Sequence, residues 1–330
     1  MTFSGTIRYD RRVSNHFLAH FLHGGVAHSL TEYARNARFP VDLQMRHNPK
    51  TGAEHASLYV GLTSVLNVES KPRPHPRLAL TANARWASTE HGFDPDWSTP
   101  ADVTQWTSRW SQVEGYLEQV IPVVAVTRHA HTEGAVQAAV SAFSDESRVM
   151  LDREVTPHFL DTAAKEAVLR PLSNALVAAL EQRRPVQAAV PKNFGAECDL
   201  LAVDRLGRLL AVEVKPKAPS LVWTPAQATM YARVLQAWVA DDCDAQPGWT
   251  AVVTGMLEQR RALGLAPRFE VALPRIPEVV PVIAFQRGVP QQYVDGLWAV
   301  QQALLEQGVG DPTLEVYEVS LSGRLDRVFA

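Results

Sequence analysis

The chain has 330 residues, 46% hydrophobic and 20% charged, with a net charge of −3. That balance excludes a disordered chain and leaves room for one large domain or two ordinary ones. No run approaches the roughly eighteen apolar residues of a membrane span, and no basic segment with an apolar run opens the chain, so neither a membrane helix nor a signal peptide is expected. Two cysteines, Cys198 and Cys243, are too few for a disulfide framework or a four-thiolate iron–sulfur cluster and fit a reduced, cytoplasmic protein. The charge balance puts no basic field over the whole molecule, so any cationic surface must come from arrangement.

In chain order, Val13 to Arg38 reads as helical, with Phe17, Phe21, Leu22 and Leu30 on one side. His16, His20 and His23 fall at i, i+4 and i+7, a spacing that can assemble a metal site. Ten of the eleven histidines precede residue 150, no acid or cysteine joins the trio, and Gly24-Gly25 interrupts the helix. Partly exposed histidines on an amphipathic helix are therefore the expectation. Ala56 to Glu69 and Arg77 to Trp86 read as strands, separated by the proline-rich, basic link Lys71-Pro-Arg-Pro-His-Pro76. Arg46, Lys50, Lys71, Arg73 and Arg77 either track a phosphate backbone or lie in solvent. A helix follows from Thr99-Pro100 through Tyr116, with Trp106 and Trp110 as core anchors. Val120 to Thr127 reads as a strand and Ala135 to Phe143 as a short helix. Residues 1–150 thus form an α+β domain suited to target recognition, partner binding or homo-oligomer formation. Neither a phosphate-binding Gly-x-x-x-x-Gly-Lys loop nor a Gly-x-Ser-x-Gly turn occurs.

Residues 151–330 alternate helix and strand, which indicates a mixed α/β sheet covered by helices. Thr156-Pro157 opens a helix to Arg183 with an apolar stripe through Ala163, Ala167, Leu169, Leu172, Leu176 and Leu180. Val186 to Val190 is an extended segment. Thr224-Pro225 starts a helix to Val239; Trp249 to Val253, Val279 to Phe285 and Thr313 to Ser320 read as strands, and Gln291 to Gln307 as a helix.

Within this half, Cys198 to Val203 and Leu209 to Val214 are apolar except for Asp199 and Glu213. Asp204-Arg-Leu-Gly-Arg208 between them has hairpin-loop composition, with Gly207 free to turn left-handed. Placing Asp204 opposite Arg208 sets Asp199 across from Glu213, with Glu197, Asp199, Glu213 and Lys215 on one face. Opposed carboxylates about 5 Å apart repel by about 3 kcal/mol at an effective dielectric of about 20. A divalent cation between them reverses that sign, and an ammonium alongside stabilises developing negative charge. The bland alternative is a surface hairpin in which Glu213 and Lys215 neutralise each other. The Leu-Leu-Ala-Val runs are too apolar for a solvated ribbon.

Asp199, thirteen intervening residues, then Glu213-Val214-Lys215 resembles the PD-(D/E)xK nuclease superfamily, with Cys198 where the family usually has proline. Gln227-Ala-Thr-Met-Tyr231 resembles the Gln-x-x-x-Tyr motif of its RecB-like branch. The resemblance covers about residues 150 onward. It implies a restriction-endonuclease-like core of helix, three-strand meander, helix and strand. It further implies Mg²⁺ or Mn²⁺ held by Asp199, Glu213 and Val214, with Lys215 acting on water or phosphate. Glu166 on the first helix is a candidate added carboxylate, and Gln227, Tyr231 and Lys217 are candidate nucleic-acid contacts. The expected activity is phosphodiester hydrolysis, on DNA rather than RNA, in restriction, recombination, repair or anti-phage defence. The alternatives are a nuclease-like binding module without cleavage and an effector regulated through residues 1–150.

Overall fold

Rather than passing once from a first domain to a second near residue 150, the chain crosses repeatedly between two units. In the computed structural model a larger unit comprises Met1–Tyr9, Phe143–Thr254 and Arg268–Ala330, and a smaller one Asp10–Ala142 and Gly255–Pro267. Residues 6–36, 38–48, 51–71, 77–127, 133–142, 147–216, 219–242, 248–267, 270–320 and 322–329 are described. The first strand, β1 (Ile7–Arg8), belongs to the larger unit.

The smaller unit is an antiparallel sheet with helices. Helices α1 (Asn15–Ala19) and α2 (His28–Asn36) precede β2 (Val41–His47), β3 (Glu54–Val60), β4 (Thr63–Lys71), β5 (Arg77–Thr81) and β6 (Ala101–Asp102), which lie in that order in one sheet. Helices α3 (Val103–Val126) and α4 (Glu133–Ala142) follow. The single helix expected from Val13 to Arg38 is instead α1 and α2: Gly24 is left-handed (φ 82°), and a Cβ on Gly25 would strike the Ala19 carbonyl. The strand expected at Val120 to Thr127 is the end of α3. Its β-branched residues lose to packing, because Val113, Tyr116, Leu117, Val120, Ile121 and Val124 are buried at helical spacing. Trp106 and Trp110 are core anchors as expected, their indole N–H groups donating to the Leu78 carbonyl (2.7 Å) and Ser29 Oγ (2.7 Å). The helix is capped at Asp102, not Thr99.

The larger unit carries β7 (Arg148–Val155), β8 (His158–Phe159), α5 (Thr162–Arg183), β9 (Cys198–Asp204), β10 (Leu209–Lys215) and α6 (Thr224–Asp242). After α7 (Trp249–Ala262), whose later turns belong to the smaller unit, come β11 (Val279–Gln286), α8 (Gln291–Glu306), β12 (Glu315–Val319) and β13 (Leu325–Val328). The six-stranded sheet runs β13-β12-β11-β10-β9-β7, with β10, β11 and β12 parallel and the other pairs antiparallel; β1 pairs with β8 apart from it. Three expectations are corrected. Trp249 to Val253 is helical, in α7. Val186 to Val190, expected as an extended segment, is bent at residues 186–188, and β9's outer partner is β7, upstream of α5. Helix α5 starts after its cap Asp161, which accepts from Ala164 N (2.8 Å), and buries only its second half through Ser173, Leu176, Ala179 and Leu180.

One face of this sheet is sealed by α6 and α8. Ala228, Val294 and Leu297 cluster with Ile283 and Phe285 of β11, which pair with Glu213 and Lys215 of β10. The β9–β10 turn fixes the register: Asp204 Oδ1 accepts from Leu206 N (2.9 Å) and Arg208 N (2.9 Å), and Asp204 N donates to the Arg208 carbonyl (3.1 Å). Gly207 is left-handed (φ 76°), and a Cβ there would collide with the Ala272 carbonyl oxygen. Gly207→Ala should therefore lower the unfolding free energy by about 1–3 kcal/mol, and with it the urea midpoint; an unchanged urea midpoint would show that the turn is not under this constraint.

Candidate active site

The hairpin pairs Val212 with Leu200, Ala211 with Leu201 and Leu209 with Val203, the register that sets Asp199 across from Glu213. Both acids and Lys215 lie at the same end of the sheet, where the parallel strands β10, β11 and β12 finish. Open α/β sheets collect ligands at that end. Asp199 Oδ2 accepts a hydrogen bond from Val214 N at 2.7 Å. Lys215 Nζ sits 2.5 Å from Glu213 Oε1. Glu213 is only 2% exposed and Lys215 9%, while Asp199 is half-buried, so the cluster opens to solvent on its Asp199 side.

Burial and the charge of Asp199 push the Glu213 carboxyl well above the usual carboxylate range. Burial also raises Asp199, but the Val214 N–H, Lys215, a hydrogen bond to Glu213 and the charge of Arg153 hold it down. The two carboxyl groups are thus coupled, each shifted upward by burial and Glu213 further by its neighbour's charge. Tyr231 stands over this pair: burial first, then the negative charge of Glu213, raises its phenol, which hydrogen-bonds Gln227. It remains a neutral hydroxyl. Cys198, buried at the start of β9, donates its thiol to the Leu200 carbonyl (3.1 Å). Burial, then Asp199 and Glu213, keeps that thiol protonated.

Five expected residues thus come together: Asp199, Glu213, Lys215, Gln227 and Tyr231, with Val214 supplying a main-chain N–H. Tyr231 is buried, so it faces the acids rather than an outer strand. Glu166 does not join them. It is exposed and pairs with Arg170 at 2.6 Å, because the first half of α5 stands clear of the core. Glu197, expected on the same face, is exposed and precedes the strand. Lys217 lies outside the described residues. In the smaller unit, Lys71 pairs with Glu69 (2.6 Å), Arg77 with Asp102 (3.6 Å), and Arg46 is buried beside Tyr59, so none of these is a free phosphate contact; Lys50 and Arg73 lie outside the described residues. His16 and His20 stack edge to face (5.4 Å), as do His23 and His28 (5.5 Å), which separates the trio into two ring pairs.

Arg153 escaped sequence reasoning. It is fully buried on β7 opposite Leu200, and its charge acts on Asp199. Next to it, Glu154 is exposed and holds a left-handed backbone (φ 52°), uncommon for a residue with a side chain. The only signal was Val149-Met-Leu151 ahead of Asp152-Arg-Glu154, an apolar run broken by charges.

No family model, curated protein or solved structure matches the chain. Among the described residues no helix is long and apolar enough to cross a membrane, and no three His, Cys, Asp or Glu side chains are grouped to hold a metal. The donor chemistry nevertheless fits a hard divalent cation. Two carboxyl groups stand opposite each other on one hairpin, and Mg²⁺ commonly takes one or two carboxylates and keeps several waters.

Because both carboxyls titrate above their ordinary values, the unfolded chain loses these protons at lower pH than the folded one. Stability from the protonated pair is complete below about pH 4 and falls as pH rises through the folded-state values. Asp199→Asn keeps an acceptor for Val214 N and removes one charge. In EDTA at pH 8 it should melt about 2–4 °C above wild type, with the gap closing towards pH 4. Mg²⁺ or Mn²⁺ should raise the melting temperature of wild type but not of the variant; equal shifts in both would remove Asp199 from the cation site.

Proposed function

We propose that the chain is a Mg²⁺- or Mn²⁺-dependent nuclease that hydrolyses phosphodiester bonds, with DNA favoured over RNA. The carrying observation is a pair of opposed acids, the half-buried Asp199 and the buried Glu213, beside Lys215 at the finishing end of parallel strands. The sheet supports a restriction-endonuclease-like core. Strands β7, β9 and β10 form an antiparallel ladder, and β11 joins β10 in parallel after α6. Helix α5, between β7 and β9 instead of ahead of the ladder, is the departure from the expected order.

Asp199 and Glu213, with the Val214 carbonyl, are the residues that would hold the cation; when bound, it supplies Lewis acidity to a phosphate oxygen and eases deprotonation of water. The protein's own groups do the rest. Val214 N–H fixes the Oδ2 oxygen of Asp199 and so orients its carboxyl group. Lys215, held by Glu213, presents an ammonium to the phosphorus centre, where negative charge grows as water adds and the ester oxygen departs. Tyr231, neutral and tied to Gln227, closes the buried side of the pair against water.

The test is a cleavage panel of single-stranded DNA, duplex DNA and RNA with Mg²⁺ or Mn²⁺, with and without EDTA. Wild type should cut in a chelator-sensitive way. Asp199→Ala and Lys215→Ala should each lose about 10²-fold or more while remaining folded by circular dichroism. Silence of wild type on every substrate would favour a binding module, and undiminished cutting by Lys215→Ala would take the lysine out of the chemistry.

A further inference from the structure

The larger unit distributes its unpaired positive charge unevenly. Most of its described cations are engaged: Arg170 with Glu166, Arg183 with Glu306, Arg208 with Asp204, Arg287 with Glu318 and Arg324 with Asp326. Among its described residues, three exposed cationic side chains enter no hydrogen bond or ion pair: Lys165, Arg184 and Lys192. All three fall in α5 and the segment joining it to β9, a stretch with five cations against three carboxylates in a chain of net charge −3.

Connectivity orders them along one line that starts at the acids. Val155, at the end of β7, pairs with Cys198 beside Asp199, so the short link to Thr162 starts α5 at the site's end of the sheet. The far end of α5 is tied down where Arg183 meets Glu306, the last residue of α8 (2.7 Å), and Arg184 follows as its left-handed cap (φ 43°). The returning segment touches α5 midway, where Phe194 N donates to Ser173 Oγ (2.9 Å), so Lys192 lies beside the middle of the helix. It then runs directly into Asp199. Lys165, Lys192 and Arg184 therefore stand near the site, at mid-helix and at the far end. The helix itself leaves room: Ala163 and Ala167 are exposed where a core-facing stripe was expected.

We infer that α5 and its return segment are the nucleic-acid track of the larger unit, with the polyanion lying along the helix and its scissile phosphate at Asp199. This rests on the nuclease reading. At 1.5 Å per residue the 22-residue helix is about 33 Å long, which parallels about ten base pairs of duplex. Three phosphate contacts over that span position the strand without reading its sequence.

The experiment measures binding by fluorescence anisotropy, with full-length Asp199→Ala protein in EDTA and labelled duplex or single-stranded DNA of at least about ten base pairs or nucleotides. Adding Lys165→Gln, Arg184→Gln and Lys192→Gln should weaken binding tenfold or more at about 0.1 M salt and lower the slope of log K against log salt by about 2–3. A control with Arg38→Gln and Arg109→Gln, exposed cations of the smaller unit, should bind as the parent does. Parent-like affinity and slope in the triple variant would overturn the track and leave the nuclease reading standing. Equal losses in the control would also overturn it, since the effect would then be net charge. A parent that binds neither DNA would sink both.

Discussion

Two carboxyl groups face each other across one hairpin with Leu-Leu-Ala-Val on both flanks, and the rest of the larger unit is arranged around keeping them there. Water cannot screen Glu213, because α6 and α8 lie over the face from which it projects. Each remaining contact answers the charge of one acid or the other. Lys215 supplies an ammonium to Glu213, while Val214 gives an N–H and Arg153 a buried guanidinium to the neighbouring Asp199. A surface ribbon would need none of these, since exposed ion pairs contribute little. Removing any one of these partners would leave a buried charge uncompensated, which is strongly destabilising.

The same sheet end also defines what can approach. Three parallel strands finish there, and Asp199 begins the antiparallel strand beside them. Tyr231 and the aliphatic cover close one side; the half-buried Asp199 leaves the other open. Helix α5, only half seated in the core, extends from this opening instead of burying its whole apolar stripe.

The hairpin was legible because its information is local and redundant. Asp204 and Gly207 dictate the turn, and the period of two then assigns every side chain to a face. Helices α6 and α8 and strands β11 and β12 were legible from periodicity and length. Strand β7 was not, because Asp152-Arg-Glu154 breaks the apolar run, and Arg153 went unseen with it. Val120 to Thr127 misled through its β-branched residues, whose local preference yields to helical packing in α3. Glu166 was placed by family expectation. The rotation and seating of α5 depend on tertiary contacts, which sequence spacing does not carry.

The interleaving of the units has a consequence for how the chain comes off the ribosome. Strand β1 pairs with β8, so Ile7 meets Phe159 only after more than 150 further residues have been made, roughly ten to thirty seconds of translation. Tyr9, whose hydroxyl donates to Asp152 at 2.5 Å, waits as long. During that interval the nascent N-terminal segment is a loose end while its neighbours collapse. Sealing the larger unit is thus a late event of biosynthesis, and its acids meet only after most of the polypeptide has emerged.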